Sequence, residues 1–156
     1  MPAKSTPALD WMFDIDVRIG PPEPVGHGPD GERTDYPILG GTFAGAALSG
    51  DVLPGGADYF LMRPDGVGVL DARYRLRAAD GTEIEIHNRG LWVPNDAGLA
   101  RLRAGGEPAA DELYCRCTPQ FRAPAGPHDW LNRIVCVGLV TYPRPDIVAV
   151  SCFKLR

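Results

Sequence analysis

The chain has 156 residues, a length that fits one domain able to bury a core without disulfides or metals. A hydrophobic share of 44% and a net charge of −4 exclude a disordered chain and a basic nucleic-acid binder. No apolar run approaches the roughly 18–20 residues that cross a bilayer, which excludes a membrane-spanning helix.

The opening stretch MPAKSTPALDW has no apolar signal-peptide region, so the reading is a cytoplasmic protein with free thiols at Cys115, Cys117, Cys136 and Cys152. With 19 Gly and 16 Pro, nearly twice an average share, the chain reads as short strands and many turns. Residues 14–19 alternate polar and apolar, the pattern of a half-exposed strand. Residues 20–37, with five Pro and four Gly, read as a long surface loop. Strands are then expected at about 38–48, 50–53, 58–63, 67–77, 82–92, 113–118, 130–142 and 146–155. The only helical signal runs from Asn95, a candidate N-cap, to Ala104, with Gly105 and Gly106 as the stop. The expected fold is all-β: a single antiparallel barrel of about eight strands over residues 1–156, with at most one short helix.

Two hairpins can be registered from their turns. Ala79-Asp80-Gly81 pairs Arg77 with Glu83, Leu76 with Ile84, Arg75 with Glu85, Tyr74 with Ile86, Arg73 with His87, Ala72 with Asn88 and Asp71 with Arg89. A slip of one residue would set Arg77 against Ile84 and Leu76 against Glu85, which charge and burial both disfavour. Pro64-Asp65-Gly66 pairs Met62 with Gly68, Leu61 with Val69, Phe60 with Leu70 and Asp58 with Ala72. Side chains alternate along a strand, so Phe60, Met62, Leu70, Tyr74, Leu76, Ile84 and Ile86 share the inner face. That face brings Asp58, Ala72 and Asn88 into one row, two polar groups about 10 Å apart flanking a small one.

A buried carboxylate needs a partner, a raised pKa or a wet cavity, and convergent polar groups in an apolar cavity are the usual form of a small-molecule site. Local roles compete with this: Asp58 can cap the turn at 54–57, and Asn88 can bond to backbone. Trp130 and Asn132 share a face and are expected to line the mouth, although Trp130 can equally be core. On the opposite, charged face Arg73, His87 and Arg89 cluster with Asp71 as a candidate anion-binding or acid–base group, or as a ladder of surface ion pairs. Leu61, Val67 and Val69 on that face suggest a homo-oligomer contact. Cys115 and Cys117 lack the spacing or the His of a zinc site, so no metal ligand is expected. No phosphate-binding glycine motif and no nucleophile elbow occur, so no cofactor is expected.

The runs at 52–58 (VLPGGAD), 70–74 (LDARY) and 130–132 (WLN) resemble the bacterial and fungal domain-of-unknown-function family 3237, over about residues 38–155. The resemblance implies a single antiparallel β-barrel and no transferable activity. Asp58, Asp71, Arg73, Asn88, Gly90 and Asn132 occupy positions that match its motifs. Cys115 and Cys117 depart from its pattern, as does Arg122.

The reading is a barrel that binds a small apolar or aromatic metabolite, with no membrane partner. It acts as a cofactor-free isomerase, cyclase or lyase, with Asp58 as acid or base and Tyr74 and Asn88 stabilising developing charge. The alternatives are a non-catalytic carrier barrel and an oligomeric structural protein whose lumen is filled by side chains.

Overall fold

The structure, a computed structural model, describes residues 4–156. Its elements run β1 (Leu9–Ile19), β2 (Glu23–Gly28), β3 (Gly31–Ala44), β4 (Gly50–Val52), β5 (Ala57–Met62), β6 (Gly68–Ala78), β7 (Glu83–Pro94), α1 (Asp96–Arg103), β8 (Leu113–Arg122), β9 (Cys136–Arg144) and β10 (Ile147–Leu155). All pairings are antiparallel, in the order β1-β10-β9-β8-β7-β6-β4-β3-β2. Both β4 and β5 lie between β3 and β6, so together they fill one position broken at residues 53–56. Pairing of β1 with β3 closes the ring, which then has eight positions. This is the expected barrel-like antiparallel sheet. Its one helix starts where Asn95 caps the backbone N–H of Gly98 at 2.9 Å. No helix among the described residues is long and apolar enough to cross a membrane.

The break in the β4–β5 position has a backbone cause. Gly56 has φ +73°, and a Cβ there would stand 2.0 Å from the Arg73 carbonyl oxygen. Only glycine can turn the chain so close to β6, and this turn aims the next strand so that Asp58 points inward.

Two expectations are corrected. Residues 20–37 are not a loop: β2 and the first part of β3 form a hairpin there, from Glu23 against Asp35 to Gly28 against Gly31. The Pro and Gly content misleads because β2 is an exposed edge strand, where Pro24 leaves no central ladder bond unmade. Residues 130–133 are not strand either. A 3₁₀ turn spans Asp129–Arg133, and β9 begins only at Cys136. The Asn132 side chain replaces a ladder here, accepting from the Ala123 N–H at 2.8 Å and donating to its carbonyl at 2.9 Å.

The interior is unequal along the barrel axis. At one end Phe13, Ile15, Leu76, Ile84 and Ile86 are fully buried, and Phe13 meets Phe43 and Phe121 edge to face. The 3₁₀ turn plugs this end with Leu131, while His128 bonds Asp80 of the β6–β7 turn at 2.8 Å. At the other end the inward side chains Phe60, Ala72, Trp92 and Val148 pack on the core but stay partly accessible. Leu70 and Cys115, at the same end, are buried.

Candidate functional site at the open end of the barrel

The row expected from the two turns is present. Asp58 pairs with Ala72, and Ala72 with Asn88, on β5, β6 and β7. The β6–β7 register matches the expected one from Asp71 and Arg89 through to Arg77 and Glu83. Between Asp58 and Leu61 the β5–β6 ladder is interrupted, and the Asp58 Oδ1 accepts the Asp71 N–H at 2.9 Å. The carboxylate thus takes a backbone donor that the ladder would otherwise use. This is neither a turn cap nor an ion pair.

Burial pushes the Asp58 carboxyl up to about 6; the hydrogen bond from Asp71 works against the rise, and the charges of Asp71 and Asp35 add to it. Tyr74 and Asn88 are only 6% and 5% exposed, and the Tyr74 hydroxyl and Asn88 Oδ1 have no hydrogen-bond partner among the described residues. Burying such a group unpaired costs about 1–3 kcal/mol, so two on neighbouring strands call for an explanation. Burial, with the Cys152, Cys117 and Asp58 charges adding, holds the Tyr74 phenol well above its ordinary range. It stays a donor at any working pH.

Four further residues complete the site, and the sequence reading missed their part in it. Tyr36 pairs with Asp58 from β3, and its phenol is raised by burial and then by the Asp58 charge. Tyr36, Phe60 and Trp92 stack edge to face in succession at centroid distances of 6.0 and 6.4 Å, forming an aromatic collar. From β9 the Tyr142 hydroxyl reaches 3.7 Å from the Cys115 thiol, and burial followed by the Cys115 charge raises this phenol too. Burial lifts Cys115 and Cys117 to about 11, so neither is a thiolate nucleophile near neutrality. Gly90 makes room for Cys117: a Cβ there would lie 2.8 Å from the Cys117 Cβ. The inward side chains around Asp58 on β5–β9 include no Lys, Arg or His. Among the described residues no group of three or more potential metal ligands occurs.

Other expected site residues lie elsewhere. Trp130 and Asn132 do not line the mouth; they belong to the turn that plugs the opposite end. Arg73, His87 and Arg89 are on the outer face, separated by the sheet from Asp58, Tyr74 and Asn88. There His87 bonds Asp71 at 2.7 Å, and Arg75 and Arg77 share Glu83. A shallow groove of about 530 Å³ runs over this face past Gly55, Arg73, Arg75, His87 and Arg122. Its polar side chains are mostly exposed, and of them Arg73, Arg75 and His87 are already paired. The chemically distinctive groups are the buried ones inside.

A ring-like antiparallel sheet plugged at one end, with a buried carboxyl, phenols and an amide on its inner face, defines a barrel-like protein. The chain belongs to the family described as "Protein of unknown function (DUF3237)", whose model matches residues 7–155, a span that includes β1 and the β2–β3 hairpin. A UPF0311 protein of Rhodopseudomonas palustris is 33% identical over 135 residues, covering 85% of this chain and 88% of its own. The crystal structure of a conserved protein of unknown function from that organism superposes with a TM-score of 0.89 at 29% identity, covering 98% of this chain and all of that one. A β-barrel-like protein from Acinetobacter baumannii gives a TM-score of 0.84 at 28% identity over the whole of both chains. A protein from Penicillium herquei described as an enzyme shares the fold at 20% identity, with a TM-score of 0.73 and full coverage of both.

Proposed function

We propose that the barrel binds a small, uncharged, apolar or aromatic metabolite at its open end and acts on it by cofactor-free acid–base chemistry. The observation that carries this is the grouping of Asp58, poised near 6, with two buried polar atoms that have no protein partner among the described residues, the Tyr74 hydroxyl and the Asn88 Oδ1. A carboxylate of that basicity can take a proton from carbon or oxygen near neutral pH and return it elsewhere. Tyr74, which keeps its proton, donates to the oxygen on which charge develops, and Asn88 orients the ligand through its amide. Each such cycle moves one proton out and back, so it suits an isomerisation, a cyclisation or an elimination. A ligand carrying a carboxylate or phosphate would meet Asp58 with no inward cation on β5–β9 to offset it. The Penicillium herquei protein supports only the compatibility of this fold with catalysis.

The test is thermal stabilisation of the protein by a panel of small aromatic, lactone and polyketide-like compounds, followed by incubation and product analysis. A ligand that stabilises the wild type, is converted by it, and is bound but not converted by Asp58→Asn supports the enzyme. Binding without conversion in either protein supports a carrier instead. No stabilisation by any compound counts against the lumen as a site.

A second reading concerns the outer face. Leu61, Val69, Leu91, Arg116 and Leu139 fall in one register row across β5–β9, with Leu91 and Leu139 each more than 40% exposed. We infer a second copy of the chain as the occupant of this row. Light scattering on the wild type and on Leu139→Glu tests it; two monomeric proteins would exclude it.

A further inference from the structure

The wall of the barrel is weakest between β8 and β9. Strands β7 and β8 pair without interruption from Glu85 with Arg122 to Pro94 with Leu113. In contrast, β8 and β9 pair only at Arg116 with Leu139 and Cys117 with Gly138. Continuing that register would set Cys115 opposite Val140 and Leu113 opposite Tyr142, yet the described strands do not pair there. This unpaired stretch lies at the open end, level with the collar.

Tyr142 stands in the gap. The residue is 43% exposed, while the Cys115 thiol that its hydroxyl approaches at 3.7 Å belongs to a residue only 1% exposed. The ring therefore shows one edge to solvent and turns its hydroxyl toward the buried Cys115 thiol. That approach turns the hydroxyl inward, and burial followed by the Cys115 charge raises the phenol. A single side chain thus runs from the surface at the seam to the buried thiol behind it.

We propose that the β8–β9 seam is the ligand's way into the barrel, that Tyr142 is its gate, and that the Tyr142 hydroxyl then binds the ligand opposite Asp58. This rests on the reading of the lumen as the ligand site. Motion of one ring about its side-chain torsions is enough to open the seam, since no backbone ladder bond must break. Arg116 lies 4.8 Å from the Tyr114 ring centroid and donates from Nη1 to the Cys115 carbonyl at 2.8 Å.

Cys115 beneath the gate is a built-in reporter. The experiment labels the native, full-length protein with N-ethylmaleimide at pH 8 and reads each cysteine by peptide mass spectrometry, for wild type, Tyr142→Ala, Tyr142→Leu and Tyr142→Phe. Expected is a rise of tenfold or more in Cys115 labelling for Tyr142→Ala and a smaller rise for Tyr142→Leu. Labelling of Tyr142→Phe stays within about twofold of wild type, and Cys136 and Cys152 stay protected throughout. Equal acceleration at all four cysteines would mean general loosening and would overturn the gate. So would Cys115 labelling as fast in the wild type as in Tyr142→Ala, since the route would then be the open end. The readout is independent of Asp58, so a failed gate leaves the lumen site to be judged by its own ligand test. A ligand found in that test should lose at least fivefold in affinity with Tyr142→Phe, which keeps the gate but not the hydroxyl.

Discussion

The proton affinity of Asp58 is set by its surroundings. Its folded-state value lies above that of the unfolded chain, so the native state holds the proton more tightly than the unfolded state does. The stabilisation this brings is complete below about pH 4 and is lost as pH rises through about 6. Asp58→Asn keeps an acceptor for the Asp71 N–H but cannot ionise. The variant is therefore expected to match the wild type near pH 4 and to exceed it at pH 7.5 by roughly 2 kcal/mol, read from urea melts at the two pH values. A variant less stable than the wild type at pH 7.5 would mean that the ionised carboxylate is well solvated. Tyr74 gives a companion case on the next strand. Tyr74→Phe removes a buried hydroxyl without a protein partner, so its stability should be unchanged or higher by about 1 kcal/mol, while ligand-induced stabilisation falls. A loss of 2 kcal/mol or more would show that the hydroxyl is satisfied within the fold.

At the level of elements, Asn132 holds the plug to the end of β8, through two hydrogen bonds to Ala123, and has no place at the open end. Asn132→Ala should cost about 1–3 kcal/mol in denaturant melts and leave ligand affinity unchanged; weakened binding at unchanged stability would restore it to the site. The same elements show what was legible in the sequence. Asp-Gly turns and alternating charge pinned β5, β6 and β7, so the row of Asp58, Ala72 and Asn88 could be read from local chemistry alone. Tyr36 and Tyr142 could not. Tyr36 sits where Pro and Gly masked a hairpin, and its alignment with Asp58 depends on the β3–β5 pairing, which no tight turn announces. For Tyr142 the signal was present but weak: the turn at Pro145 and Asp146 sets Arg144 against Ile147, and a register shift follows before Ala149 meets Thr141. Trp130 and Asn132 misled because an apolar run continued past them into β9, and only the Ala123 contact marks them as a cap.

For the whole molecule, closure by β1 and β3 makes a ring, and how tightly its two ends are packed decides between a ligand site and a filled structural barrel. Two alanines on β6 provide the comparison. Ala72 and Ala78 both face inward, six residues apart on one strand; Ala78 is 4% exposed at the plugged end, whereas Ala72 remains partly accessible in the Asp58 row. Adding side-chain volume to a packed interior forces its neighbours aside and costs about 1–3 kcal/mol, occasionally more. Where open space lies ahead, the same change costs little. Ala78→Leu is therefore expected to lose at least about 1–3 kcal/mol, and Ala72→Leu to stay within about 0.5 kcal/mol of the wild type while blocking ligand-induced stabilisation. Equal losses in the two variants would mean that side chains fill the barrel from end to end. The inward carboxyl, phenol and amide would then form a structural cluster, and the outer face would be the place to look for a partner.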